Sequence, residues 1–343
     1  MTVTMTRGLL AAGFCLALSL SLPASAQSSA EFYKGKTVQF GVGYPPAGGL
    51  DAYMRAAARY IGKYIPGQPN VIAVNVPGAS SLIYVRFLQT QAPKDGTQFG
   101  MFDRALISQS VLDPKTSNVD FRNFTWIGSM NSDVGICFLR SAKKLSTIAD
   151  IKASPEKVVL GGTSKNSSGY LYSSIIRRLS PQNVTQVMGY EGTGAMALAN
   201  ERGEIDGNCG TYGGLKSSQP NWASEGKVKV LLQFVEKRHP ELQDVQTVFD
   251  LVESEQERRA IRFLTAAERI GRPVVAPLGI PADRAVILRK AFLDTMQDSE
   301  FLAFVKQAKL DIDVVSGEEA AQIAASIVTT PPEAVELARK LME

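Results

Sequence analysis

Four short stretches rich in Gly, Ser and Thr each follow an apolar run, and what they offer chemically is hydrogen-bond donation. The first, Gly43-Tyr44-Pro45-Pro46-Ala47-Gly48-Gly49-Leu50-Asp51, lies between the run Val38 to Val42 and a helix-like run from Ala52 to Tyr64. Gly48 and Gly49 leave backbone N–H groups uncovered at a helix start, where partial positive charge suits a carboxylate or phosphate. An ordinary turn with Asp51 as N-cap accounts for the same residues. No Gly-Lys-Ser/Thr follows and the spacing is not G-x-G-x-x-G, so neither nucleotide signature is present. Pro77-Gly78-Ala79-Ser80-Ser81 repeats the pattern one strand later with hydroxyls, and a capped helix start reads the same way. In Thr163-Ser164-Lys165-Asn166-Ser167-Ser168, five residues donate neutral hydrogen bonds and Lys165 brings a charge, though a flexible surface loop has this composition too. Tyr190-Glu191-Gly192-Thr193-Gly194 combines an aromatic plane, a carboxylate and two exposed N–H positions, or is simply a turn. Asp103-Arg104 follows the strand-like Gly100–Phe102. Arg104 could fork onto a ligand carboxylate or pair with a neighbouring acid.

The single histidine, His239, sits in the charged stretch Lys237-Arg238-His239-Pro240 and reads as a solvated loop residue. A Ser-His-Asp or Cys-His site could be built only there, and a His-rich zinc site not at all. No carboxylate pair, thiolate–imidazole pair or metal cluster converges, so no catalytic residue, metal ligand or cofactor is expected. Neutral and weakly positive donors suit reversible capture of an anion better than bond making.

These stretches need a scaffold that brings them to one place. Short apolar runs alternate with helix-like segments from Val38 to Phe234, which predicts an α/β fold with two mostly parallel sheets. Each half repeats the plan strand, Gly/Ser loop, helix, without a residue-level repeat. Loops after parallel strands gather at one sheet end, where open α/β sheets bind ligands. Two lobes are expected, residues 27–129 with 233–343 and residues 130–232, facing each other across a cleft. The chain would cross between them near Ile127–Asp133 and near Val230–Glu236, which permits hinge closure. The C-terminal third is expected to pack on the first lobe and to carry little chemistry.

Arg7 precedes an apolar run from Gly8 to Leu22, and Pro23-Ala24-Ser25-Ala26 follows. This is the pattern of a secretory signal cleaved after Ala26, with Cys15 inside the apolar run. It predicts an exported, periplasmic protein of 26 fewer residues, still long enough for two lobes. A hydrophobic content of 45% is that of a globular chain. Lys and Arg number 37 against 33 acids with no basic stripe, so nucleic acid is not an expected partner. Cys137 and Cys209 remain after cleavage, as a disulfide or as two buried thiols.

Six segments in this order also resemble a known family. Pro46-Ala47-Gly48-Gly49-Leu50-Asp51 resembles a Pro-Gly-Gly-Gly-x-Asp loop, and Asn75-Val76-Pro77-Gly78-Ala79-Ser80-Ser81 an Asn-Arg-Pro-Gly-Ala-Gly-Gly segment. Pro93-Lys94-Asp95-Gly96-Thr97 is similar to Pro-Asp-Gly-Tyr-Thr, and Tyr190-Glu191-Gly192-Thr193 sits where Tyr-Lys-Gly-Ser is found. Gly203-Glu204-Ile205-Asp206 resembles Gly-Gln-Val-Asp, and Leu242-Gln243-Asp244-Val245-Gln246-Thr247 resembles Leu-Pro-Asp-Val-Pro-Thr. The family is that of the substrate-binding proteins of tripartite tricarboxylate transporters, the Bug receptors. The resemblance implies a two-lobed, type II-like periplasmic binding protein, expected as a monomer, that closes on a small organic carboxylate and hands it to membrane permease subunits. A sensor serving a membrane kinase, or a periplasmic hydrolase using Ser164 or Ser167, are the other readings. By position, the resemblance carries carboxylate contact to Ala47, Gly48, Gly49 and Asp51, and to Tyr190, Glu191, Gly192 and Thr193. Tyr44, Ser80, Ser81, Asp103, Arg104, Thr163, Ser164, Ser167 and Gly210 complete the expected site. This chain departs from the family where Glu191 replaces a basic residue, where Ser80 and Ser81 replace glycines, and where Gly210 replaces an Asp expected at the ligand's distal end. Arg104 or Lys165 would supply a replacement charge.

Overall fold

Val38, Phe40 and Val42 are fully buried while Thr37 and Gln39 face outward, and this alternation makes β1 (Thr37–Val42) a strand with one covered face. The structure is a computed structural model that describes residues 1–2 and 29–342, so the expected leader, Cys15 and the cleavage position after Ala26 lie outside the described residues. β1 pairs in parallel with β2 (Asn70–Asn75) and β3 (Gln98–Met101). Beyond β3, the sheet continues with β4 (Phe124–Ser129) and two strands from the C-terminal third, β10 (Pro273–Pro277) and β11 (Val315–Ser316), in the order β11-β4-β10-β3-β1-β2. β10 runs antiparallel between β3 and β4, and β11 is antiparallel to β4.

A second sheet holds β5 (Gly135–Arg140), β6 (Val158–Gly162), β7 (Val184–Met188), β8 (Gly207–Thr211) and β9 (Val228–Gln233), ordered β7-β6-β8-β5-β9. β6 is parallel to β7 and β8, whereas β5 is antiparallel to β8 and β9. Both sheets are therefore mixed rather than mostly parallel. The reason is the same in each: a strand entering from the other direction is inserted among three that carry βα turns. Cys137 and Cys209 stand opposite each other on β5 and β8 and are joined as a disulfide.

Helices cover both sheets. The helix Gly49–Ile61 buries Tyr53, Met54, Ala57 and Ile61 on one side and turns Arg55 and Arg59 outward. Behind the cleft one apolar cluster runs through both lobes, from Leu82, Phe102 and Leu106 to Leu171, Tyr172 and Phe234. Tyr172 stacks on Phe234 with ring centroids 4.3 Å apart. The C-terminal helix Pro332–Met342 belongs to this cluster and packs on both the helix Ala105–Leu112 and the helix Ser168–Leu179 of the second lobe. The C-terminal third therefore braces both lobes. Among the described residues, no helix is long and apolar enough to cross a membrane.

Candidate functional site

Loops from the two sheets close on one cavity of about 100 Å³. From the first lobe come Tyr44, Gly48, Gly49, Leu50, Asp103 and Arg104, joined by Arg272 just before β10. The second lobe contributes Gly162 and Thr163, Ser167 to Gly169, Thr193, Met196 and Ala197, and Asn208 to Thr211, with Phe138, Gly214, Leu215 and Trp222.

Four helices begin at this cavity: Gly49–Ile61, Ser168–Leu179, Thr193–Arg202 and Tyr212–Ser218. Their N-caps are Gly48, Ser167, Gly192 and Thr211, and the first two and the last line the space directly. Helix starts carry partial positive charge, but at Tyr212–Ser218 the first three N–H groups are already taken, by Val134 O, Asp133 Oδ1 and Thr211 Oγ1. Ser167 Oγ and Thr211 Oγ1 cap their own helices through Tyr170 N (3.2 Å) and Gly214 N (3.0 Å). Tyr212–Ser218 is unforeseen from the sequence because Gly213 and Gly214 are poor helix formers. A Cβ on Gly214 would stand 2.8 Å from Thr211 Oγ1, the cap of its own helix, and a Cβ on Gly49 of the opposing lobe would stand 3.4 Å from Gly214 Cα and 3.2 Å from Ser217 Oγ. The glycines at 49 and 214 thus let two helix starts approach.

Two buried guanidiniums flank these helix starts. Arg104 Nη2 donates to both oxygens of Glu268, at 2.5 and 2.6 Å. Arg272 Nη2 pairs with Asp133 Oδ2 at 3.0 Å and lies over the Tyr53 ring at 4.6 Å. All four charged groups are about 95% buried or more. Asp133 also accepts from Gly213 N at 3.0 Å, so the Arg272–Asp133 pair holds the Tyr212–Ser218 helix against the first lobe. Burial pushes the Glu268 carboxyl up to about 7 against the pull of Arg104. Arg104, Arg272 and Thr193 all line the cavity, and Arg104 Nε, Arg272 Nε and Thr193 Oγ1 are buried donors with no protein partner among the described residues. These three atoms are closed to solvent and do not open onto the cavity.

Asp103 is the one carboxylate on the cavity wall. Its Oδ2 accepts from Tyr44 Oη at 2.9 Å and faces Ser168 N across the cleft at 3.4 Å. Burial, with Asp103 adding to it, raises the Tyr44 phenol well above its ordinary value and keeps it a donor. Beside them runs a hydroxyl bridge between lobes: Ser80 Oγ meets Thr163 Oγ1 at 2.7 Å and Ser164 Oγ at 2.8 Å. Gly78, Ala79, Ser80 and Ser81 all have positive φ (143°, 47°, 52° and 76°), a run that costs backbone strain in its three non-glycine residues. Ser81 Oγ accepts from Asp103 N at 3.1 Å and so fixes the turn that carries Asp103 and Arg104.

Of the expected residues, Tyr44, Gly48, Gly49, Asp103, Arg104, Thr163, Ser167, Thr193 and Gly210 meet at the cavity. Ser80, Ser81 and Ser164 stand behind its wall in the roles just given. Asp51 is buried among Arg55, Asn75 and Ala47 N, where it shapes its own turn. Ala47 is exposed with φ 66°, and Gly192 faces Pro45. Tyr190 packs beside Met196, Glu191 is exposed, and neither lines the cavity. Lys165 points its carbonyl to Gln109 Nε2 (2.8 Å) and is exposed, so the replacement charge is not Lys165. Arg272, Glu268 and Asp133 went unforeseen. They lie outside the Gly/Ser turns, and the first two come from the third of the chain expected to carry little chemistry.

Two facing α/β lobes with a cleft at their loop ends define the fold of periplasmic solute-binding proteins. The solved structures similar to this chain include the periplasmic binding protein BugD, with TM-score 0.70 at 19% identity, covering 90% of this chain and 98% of that one. MatC from Rhodopseudomonas palustris with bound malate gives TM-score 0.68 at 18% identity, over 90% of this chain and 99% of that one. A second R. palustris protein, with adipate, gives TM-score 0.70 at 15% identity over 88% and 97%. The chain thus shares its fold with Bug-type binding proteins, the group its sequence segments resemble. No family model matches the sequence, and no curated protein does.

Proposed function

We propose that this protein is a divergent Bug-type receptor of the periplasm that captures a small organic carboxylate between its lobes and delivers it to a tripartite tricarboxylate-type permease. Residues 27–129 with 233–343 form one lobe in this reading, and residues 130–232 the other. The observation that carries it is the convergence of the helix starts at Gly49, Ser168 and Thr193 and of two buried arginines on one cavity between the sheets. The similar proteins MatC and its R. palustris counterpart hold malate and adipate, which supports a carboxylate for this chain as well.

The ligand carboxylate would enter an open cleft, take N–H bonds from the helix starts and draw the lobes together. Closure excludes water, and the same bonds strengthen as the local dielectric falls. The Ser80–Thr163–Ser164 bridge and the Gly49–Gly214 contact form only in the closed state. In this reading the bound acid is held and released without chemical change. Thermal melting against a panel of carboxylates and their amides tests the reading. A fitting acid at one hundred times its Kd should raise Tm by about 5 °C or more, its amide should not, and the acid should be recovered unchanged. No shift with any acid, or turnover of the bound acid, overturns it.

A further inference from the structure

Resting on that reading of the cavity, we infer that the ligand carries a single carboxylate on an uncharged, largely apolar body. Counting charge gives the first reason. Arg104 and Arg272 are the only cationic side chains on the cavity wall, and each is already committed to a buried carboxylate, Glu268 or Asp133. Asp103 places a further carboxylate on the wall itself. Two guanidiniums facing up to three carboxylates leave no surplus cation. What remains for an anion is the partial charge of the helix starts at Gly49, Ser168 and Thr193, which suits one carboxylate better than two.

The second reason is the opposite wall. Phe138, Met196, Leu215 and Trp222 present apolar surface to the cavity, with Phe138 and Trp222 set edge to face at 6.3 Å. The polar groups on this side, Asn208, Thr211, Ser218 and Gln219, are all uncharged. At Gly210, the position where the resembling family carries an Asp, a Cβ would meet nothing within 4 Å. A second carboxylate placed against this wall would lose its water and gain no countercharge, a costly burial. A methylene chain or aromatic ring placed there would gain from leaving water.

Calorimetric titration at pH 7.5 with two matched pairs, hexanoate against adipate and benzoate against terephthalate, decides it. The monoacid should bind at least tenfold tighter than the diacid in both pairs. A smaller difference in either pair, or a tighter diacid, overturns this inference but leaves the carboxylate receptor standing. No binding by any of the four overturns both. Gly210→Asp has room for its side chain and should weaken each monoacid at least tenfold, by adding a carboxylate to the apolar wall; unchanged affinity also overturns the inference.

Discussion

On the first-lobe side of the cavity, Arg104 and Arg272 are buried, each clamped by its own carboxylate, and Asp103 is held by Tyr44. On the second-lobe side, Phe138, Met196, Leu215 and Trp222 stand beside glycines and uncharged polar side chains such as Asn208, Thr211, Ser218 and Gln219. The first wall is expensive to alter, because removing one member of a buried ion pair strands the other, at a cost of about 3–5 kcal/mol. The second is cheap to alter, since apolar side chains of similar volume exchange for about 1.5 kcal/mol or less. On the proposed reading, anion capture would rest on the wall that resists change, and ligand choice on the wall that tolerates it. A receptor fold can keep its affinity for carboxylates and still drift from one carboxylate to another.

The largest effect is expected where the two walls touch. Gly49→Val would drive branched methyls into Gly214 and Ser217, and overpacking at a closed contact costs about 1–3 kcal/mol. Because the contact belongs to the closed state, the cost should fall on binding, weakening the best ligand about 10- to 100-fold with Tm of the free protein nearly unchanged. Titration calorimetry on the purified variant checks this. Retained affinity would remove the first turn from the site.

The next effect separates the walls by pH. Glu268 titrates at about 7 in the folded chain and near 4.5 as an unperturbed carboxyl, with burial as the main cause. Between those values the folded protein keeps a proton that the unfolded chain has released. The contribution of Glu268 to stability is therefore complete below about pH 4.5 and is lost as pH rises through 7. Glu268→Gln fixes the neutral form, so the Tm of the variant minus that of the wild type should grow by about 5 °C between pH 5 and pH 8. A difference that stays flat across this range would mean that Arg104 holds Glu268 ionised throughout. Substitutions at Leu215 or Trp222, on the uncharged wall, should show no such slope.

Legibility followed the same division. The strands β6 and the helix Ile148–Ala153 fall where the apolar periodicity puts them, and the βα turns at Gly48-Gly49 and Thr163–Ser168 reach the cavity because loops after parallel strands must gather at one sheet end. β10 was readable as a strand, but its insertion between β3 and β4 was not, since no local pattern encodes which neighbours a distant strand will join. The same distance hid Arg272, which lines the cavity from the residue before β10, and Glu268, which meets Arg104 behind the wall. The Tyr190-Glu191-Gly192 turn was placed at the correct sheet end, yet only Thr193 reaches inward, because the helix begins there and the turn before it faces out. Gly213 and Gly214 concealed a helix; a Cβ there would stand 2.9 Å from Asp133 Oδ2 and 2.8 Å from Thr211 Oγ1, the groups that cap its N–H groups.

The smallest expected effect concerns the bridge at the edge of both walls. Ser80 sits at φ 52°, in a position where the resembling family has glycine, and its hydroxyl touches Thr163 and Ser164 of the other lobe. Ser80→Gly removes left-handed strain, worth about 1 kcal/mol. It also removes interlobe hydrogen bonds worth about 0.5–1.5 kcal/mol each. The two terms fall on different states: strain is present with the lobes open or closed, whereas the bonds exist only when they are closed. The free protein should therefore melt at the wild-type temperature or slightly above it, while ligand affinity falls about 3- to 10-fold. A variant that melts lower but binds as tightly as the wild type would make Ser80 a support of its own loop and not a latch between the lobes.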